Sequence, residues 1–391
     1  MNVPPLDLRA QYRTIKDEID RKVLEVLAAQ GFVLGPEVES LEKEIAAYSG
    51  ARFGIGVSSG SDALMIALMA LGIGRGDAVV TTPFTFFATA GAVSRLGARP
   101  VFCDIDERTF NMDPVGLEAV LAREAKTGGR EKVRAVIPVH LYGQCADMDS
   151  ILGLAEAAGL FVIEDAAQAI GTDYPSVRGV RKAGAIGHCG VFSFYPTKNL
   201  GGAGDGGMVL TDDAKLAATL RTLRVHGERA RYYYDVLGGN FRLDALQAAI
   251  LRVKLKHLDR WQELRRERAA TYDRALAEAG LVEDGSVLIP EALYRGSGIK
   301  DFHTYHQYVV RVRRRDELKE FLAGRGIGST IYYPMPLHLQ KCFAGLGYRE
   351  NDFPRSEKAA REVLALPLYP ELIRDQQDYV VSVLKDFYRR G

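Results

Sequence analysis

Gly190-Val-Phe-Ser-Phe-Tyr-Pro-Thr-Lys198-Asn-Leu-Gly-Gly-Ala-Gly-Asp-Gly-Gly207 is the stretch that decides how this chain reads. An apolar run with the look of a strand leads into it, and a loop with five glycines leads out. Between them stands Lys198, the only lysine between Lys182 and Lys215. Phe192, Phe194, Pro196 and Leu200 surround the amine with poorly hydrated side chains. Such surroundings disfavour the ammonium and lower its pKa, and a neutral amine attacks carbonyls. The chemistry predicted for Lys198 is a Schiff base.

Upstream of this stretch, strands and helices alternate. Residues 54–58, 78–81, 100–104, 133–139, 160–163, 190–194 and 207–210 read as strands. Residues 11–30, 37–48, 62–71, 86–96, 114–124 and 149–158 have helical spacing, with Pro36 suited to a helix start. That alternation predicts crossover units and an α/β fold with a mainly parallel sheet covered by helices. After Asp212 the character changes. Residues 213–225 and 242–279 are helical in pattern, the second resembling a long connector. Strands at 305–312 and 328–333 and helices at 316–324, 355–365 and 375–389 then predict a smaller α+β unit. The expected division is 1–260 for the large domain and 261–391 for the small one.

A chain of 391 residues with 47% hydrophobic and 26% charged residues can bury a substantial core. A net charge of +1 makes no electrostatic case for nucleic acid or an anionic membrane as partner. Clusters at Arg265, Arg266, Arg268 and at Arg311, Arg313, Arg314, Arg315 read as solvated faces. Cys103, Cys145, Cys189 and Cys342 are far apart, which argues against zinc and disulfide frameworks. No apolar run approaches the roughly 20 residues that span a bilayer, and no leader pattern is present. The expected location is the cytoplasm. His303 and His306 point to opposite faces if they lie on a strand, so no metal site is expected.

A Schiff-base lysine needs a carbonyl partner. Pyridoxal phosphate asks for a lysine, an acid at the ring nitrogen, a phosphate cradle and a cover for the ring. Asp165, in Leu160-Phe-Val-Ile-Glu-Asp-Ala-Ala-Gln168, stands at the C-terminal end of an apolar strand, where parallel sheets bind ligands. Glu164 alternates to the opposite face, and Gln168 follows in the next turn, able to bond the ring hydroxyl. Val57-Ser-Ser-Gly-Ser61 runs into a helix, and small residues at a helix N-terminus make an anion site. Ser193 can add a hydroxyl. Phe86 stands at the start of another helix, placed to stack on a pyridine. The run Gly202-Ala-Gly-Asp-Gly-Gly207 matches G-x-G-x-x-G, yet it leads into a strand rather than a helix, which rejects a dinucleotide fingerprint.

Together these residues resemble the DegT/DnrJ/StrS family of pyridoxal-phosphate sugar aminotransferases. The resemblance runs from about residue 5 to residue 385. Ser193-Phe-Tyr-Pro-Thr-Lys-Asn-Leu-Gly201, Glu164-Asp-Ala-Ala-Gln168, Ser58-Ser-Gly-Ser-Asp-Ala-Leu64 and Gly239-Asn-Phe-Arg-Leu-Asp-Ala-Leu-Gln-Ala-Ala249 carry it. It implies the aspartate-aminotransferase-like fold (type I) and a homodimer with active sites at the interface. It further implies that Lys198 bears the cofactor, Asp165 pairs with the pyridinium and Gln168 meets the ring hydroxyl. Phe86 stacks, and Gly60, Ser61 and Ser193 hold the phosphate. Asn240 reaches the neighbouring subunit's phosphate, and Arg242, Tyr332, Tyr333 and His338 contact substrate.

By the same resemblance, L-glutamate is the donor and a nucleotide-linked keto-sugar the acceptor. His306-Gln-Tyr-Val-Val and residues 331–340 look closest to enzymes acting at C3. Their substrates include UDP-linked 3-keto-N-acetylglucosaminuronate and dTDP-linked 3-keto-6-deoxyhexoses, and their products enter O-antigens, other surface glycans or antibiotic sugars. Enzymes acting at C4 are the alternative. A sugar dehydratase of the same family carries histidine in place of the lysine. A non-catalytic regulator should have lost Lys198 or Asp165. Asp205 and Tyr195 depart from the family's usual glutamate and histidine.

Overall fold

A computed structural model describes residues 1–126 and 131–389. Two helices open the chain, α1 (Leu8–Ala29) and α2 (Pro36–Ser49). Pro36 stands in the first turn of α2, where its missing N–H has no carbonyl to meet. There follow β1 (Phe53–Val57), α3 (Gly60–Ala70), β2 (Asp77–Thr81), α4 (Ala88–Arg95), β3 (Arg99–Phe102) and α5 (Pro114–Lys126). Next come β4 (Lys132–Val136), α6 (Met148–Ala157), β5 (Phe161–Asp165) and a hairpin of β6 (Asp173–Ser176) and β7 (Gly179–Lys182). The run to Lys198 is β8 (Cys189–Ser193), and the glycine loop leads into β9 (Gly207–Thr211).

These strands build one seven-stranded sheet in the order β1-β9-β8-β5-β4-β2-β3. Only β9 runs against the others, pairing antiparallel with both β1 and β8. Apolar residues on both strand faces require helices on both sides. Val80, Val136, Val162 and Phe192 face one core with Leu41 of α2, Leu117 of α5 and Ile151 of α6. Their neighbours Val79, Ala135, Ile163 and Val191 face a second core with Leu64 of α3 and Val93 of α4. The parallel strands therefore end together along one edge, at Val57, Thr81, Asp165 and Ser193.

The chain continues through α7 (Ala214–Leu223), the short hairpin β10 (Glu228–Ala230) and β11 (Tyr233–Tyr234), then α8 (Ala245–Leu255) and α9 (Leu258–Glu278). The smaller unit holds β12 (Val287–Leu288), β13 (Tyr308–Val312), α10 (Arg315–Gly324), α11 (Pro354–Glu362), β14 (Val363–Leu366) and α12 (Arg374–Arg389). Its sheet β12-β13-β14 is antiparallel throughout. Its core joins Tyr272 and Leu276 of α9 to Val310, Leu364 and Leu384. Val3 also belongs to this core, bridged to Ile327, so the first residues pack with the last.

Several expectations change in detail. The helical stretch at 242–279 is two helices parted at Lys256 and His257, and residue 260 falls inside the second. Residues 328–333 form no strand; Thr330 makes only an isolated bridge to Ala365. Residues 355–365 are a helix and then a strand, β14, fully buried between β13 and the rest of the unit. Among the described residues, no helix is long and apolar enough to cross a membrane.

Candidate active site

Asp165 ends β5 with its backbone tied on both sides, its N–H to Pro138 O (2.9 Å) and its carbonyl to His140 N (3.0 Å). Asp165 is 6% exposed. Its Oδ2 accepts from Thr89 Oγ1 at 2.7 Å and its Oδ1 from Ala167 N at 3.2 Å. Asp165 shares the strand face of Ile163, toward α3 and α4. Glu164 points the other way, fully buried, and accepts from Gly184 N, Ile186 N and Gly187 N (2.8, 2.6 and 2.7 Å) and from His140 Nε2 at 2.9 Å. That carboxylate is saturated with donors and clamps the back of the strand. Asp165 is the one left for the pocket.

Lys198 is half-buried in the turn after β8, its N–H bonded to Tyr195 O at 2.8 Å. Desolvation draws its amine down to about 8, while the negative charge of Asp165 opposes the shift. The glycine loop folds back on the strand end, with Gly202 N bonded to Phe194 O at 2.8 Å. Gly201 has no room for a side chain, since a Cβ there would meet Pro196 O at 2.3 Å. Lys254 of α8 holds the Gly201 carbonyl from beneath at 2.6 Å.

The cradle is built as tightly. Ser59, rather than Ser61 or Asp62, caps α3, its Oγ accepting from Asp62 N at 3.0 Å. Gly60 and Ser61 open the helix, and their N–H groups have no intrahelical carbonyl to bond. A Cβ on Gly60 would stand 2.6 Å from that of Ser193, so the helix start touches the end of β8. Among the described residues, Ser193 Oγ receives only a long contact from Tyr195 N, 3.4 Å, and its O–H donates to none of them. Arg242 is half-buried at the rim of this cradle, bridged to Val57.

Phe86 stands 55% exposed just before α4, its ring 6.3 Å from that of Tyr333. Gln168 is committed at both ends, its Oε1 accepting from Tyr142 N (2.7 Å) and its Nε2 donating to Tyr333 Oη (3.2 Å). Burial holds the Tyr333 phenol above its ordinary range. Tyr142 Oη donates to the Tyr332 carbonyl. The structure thus draws Asp165, Gln168, Phe86, Tyr332 and Tyr333 into one group. It does not bring His338 there. His338 is 2% exposed, its Nε2 on Glu357 at 3.1 Å and its ring against Phe353. Asn240 is exposed on a loop whose base, Val225 to Asn240, returns beside the cradle.

Sequence reasoning missed Thr89, Tyr142 and the Asn199–His306 pair. Asn199 Oδ1 meets His306 Nδ1 at 3.1 Å, and burial, with the Lys198 charge adding to it, keeps His306 neutral. None of these has a periodic or spaced signal; only the fold brings them to Lys198.

The profile of the DegT/DnrJ/EryC1/StrS aminotransferase family matches residues 13–385. The chain belongs to that family. A "Pleiotropic regulatory protein" of Geobacillus stearothermophilus is 52% identical over 389 residues, covering 100% of this chain and 99% of the relative. A UDP-N-acetyl-3-dehydro-alpha-D-glucosamine 3-aminotransferase of Acidithiobacillus ferrooxidans is 44% identical, covering 98% and 97%. The crystal structure of DesV from S. venezuelae superposes with a TM-score of 0.90 at 42% identity, covering 100% and 99%. The fold is that of the pyridoxal-phosphate aminotransferases. The residues around Lys198 fit this cofactor: a desolvated amine, an acid with two donors and spare lone pairs, and a helix start with free N–H groups touching a serine hydroxyl.

Proposed function

We propose that this nucleotide-sugar aminotransferase transfers the amino group of L-glutamate to C3 of a nucleotide-linked 3-keto-sugar. The observation that carries the reading is Lys198, an amine drawn down to about 8 beside the buried carboxylate of Asp165. When bound, pyridoxal phosphate supplies the electron sink for the charge left at the donor's α-carbon. Lys198 Nζ would hold the cofactor at its carbonyl carbon and, with the donor bound in its place, would take the proton from the donor's Cα as a general base. Asp165 keeps a proton on the ring nitrogen, and Thr89 fixes the carboxylate that does so. Gly60 and Ser61 N–H groups with Ser193 Oγ hold the phosphate. Phe86 and Tyr333 cover the site from the solvent side. Donor and acceptor use the site in turn, so kinetics are ping-pong.

The C3 assignment is supported by the Acidithiobacillus relative, whose name places its amination at that carbon. A homodimer is supported by the exposed aromatics and aliphatics of the 225–240 loop, Tyr232, Tyr233 and Leu237, a patch that asks for cover. Asn240 then reaches the neighbouring subunit's phosphate, and Arg242 serves substrate at the shared cleft, whereas His338, held on Glu357, takes no part. A regulatory reading takes its support from the name of the Geobacillus relative. Against it stand Lys198 and Asp165, both kept in working surroundings. The test is a spectral titration. Enzyme loaded with pyridoxamine phosphate is mixed with UDP- and dTDP-linked 3-keto and 4-keto sugars. Recovery of the pyridoxal absorbance with a 3-keto sugar supports the reading. Recovery with 4-keto sugars alone removes the C3 assignment, and recovery with none removes the sugar.

A further inference from the structure

A cavity of about 140 Å³ lies against Thr197, the residue before Lys198. Leu6 of the N-terminal segment and Tyr332 of the small unit also line it, with His306, Gln307 and Arg265. Among the described residues, Arg265 is the only permanent charge on its wall, and no acidic residue lines it.

Arg265 is 4% exposed and makes no ion pair among the described residues. Its Nη1 donates to the carbonyls of Tyr305 (3.1 Å), His306 (3.3 Å) and Leu368 (3.1 Å). Among the described residues its Nη2 and Nε donate to no protein acceptor. Glu371 acts on it only through space, and burial pulls the guanidinium down to about 10. A buried cation with unused donors facing a cavity is half of an ion pair. Gln307 lines the same space with its Oε1 buried and unpartnered, and turning the amide over presents an NH2 there.

The fork of a guanidinium matches a carboxylate, which accepts two parallel hydrogen bonds. The volume excludes a nucleotide-sugar, since pockets for such ligands run to about 300 Å³ and more. It admits a short carboxylate chain. Two reactants can bring one: the amino donor, or a uronate acceptor whose sugar projects toward Thr197. The cavity's size and its position beside the lysine favour the donor.

We infer that Arg265, with Gln307, binds a carboxylate of the amino donor in this cavity. The inference rests on the aminotransferase reading above. It is tested on the holoenzyme by calorimetry with glutarate, a non-reacting dicarboxylate, and by following each half-reaction through cofactor absorbance. Arg265→Met is expected to weaken glutarate about 30-fold or more and to raise the donor concentration for half-maximal rate by a similar factor. The acceptor half-reaction should stay within about twofold.

Arg265 also holds three carbonyls, so Gln307→Glu serves where Arg265→Met does not fold. It keeps those bonds and places a negative charge in the cavity, so glutarate affinity should fall, and the donor concentration for half-maximal rate rise, about tenfold. If Gln307→Glu leaves both within about twofold, or if the loss falls on the acceptor half-reaction, the inference is overturned. The two readings fail separately. Conversion of the cofactor by glutamate with no sugar accepted defeats the sugar assignment and leaves the carboxylate site standing. Sugar amination with donor binding untouched in both variants does the reverse.

Discussion

Lys198→Met should make the cofactor-free protein more stable, because the lysine proposed to perform the chemistry is poorly placed as a cation. Its amine is drawn down to about 8 in the folded chain and returns to its ordinary 10.5 on unfolding. Below pH 8 the folded protein holds a proton at a site that resists it. Between 8 and 10.5 only the unfolded chain holds that proton, so stability rises with pH across this window. At roughly 1.36 kcal/mol for each pH unit, the interval corresponds to ~3 kcal/mol, reduced to ~2 kcal/mol by the partial exposure of the side chain. Methionine keeps the reach of the lysine and none of the charge. Urea unfolding of both cofactor-free proteins at pH 7 should show the variant ahead by ~2 kcal/mol, with the gap narrowing toward pH 10. Lys254, also drawn down to about 8, is present in both and cancels. A variant less stable than the parent at pH 7, or a gap independent of pH, would refute the reasoning.

Gly60→Ala forces its Cβ against Ser193, 2.6 Å away, and should loosen cofactor binding by about tenfold in equilibrium dialysis, with partial recovery on adding Ser193→Gly. Thr89→Val removes the 2.7 Å donor to Asp165 and should lower stability by ~1.5–3 kcal/mol in urea; in an Asp165→Asn background most of that loss should vanish. Glu164→Gln turns an amide NH2 toward a ring of N–H donors, so unfolding should come ~3 kcal/mol sooner although the residue never faces the pocket. An unchanged urea midpoint would show that Glu164 does not clamp the strand.

The residues at strand ends were legible because apolar runs bounded by small or acidic residues mark where parallel strands stop. Asp165, Ser193, the Ser58–Ser61 turn and Lys198 all come to that edge. β14 was not, since Val363-Leu-Ala-Leu366 follows a helix without a turn residue, and a short apolar run has no period to tell strand from helix. At 328–333, β-branched and aromatic residues promised a strand, but neighbours offer that backbone only one bridge. Glu164 looked like a rival acid, and alternation alone put it behind the sheet. Thr89 lies 76 residues from the carboxylate it holds, and nothing local in the chain marks such a contact. His338 came from the family resemblance alone, whereas its ring packs on Phe353 and bonds Glu357. Asn240 is a different case: it is exposed, and among the described residues its side chain makes no hydrogen bond.

The claim on which the rest depends is that Lys198 carries the cofactor. Borohydride reduction of the holoenzyme, followed by proteolysis and peptide mass mapping, tests it directly. The account predicts a pyridoxyl phosphate mass increment on the peptide containing Lys198 and nowhere else, and none after Lys198→Met. An increment on Lys254 or Lys182 in the wild-type protein, with the Lys198 peptide unmodified, would contradict it.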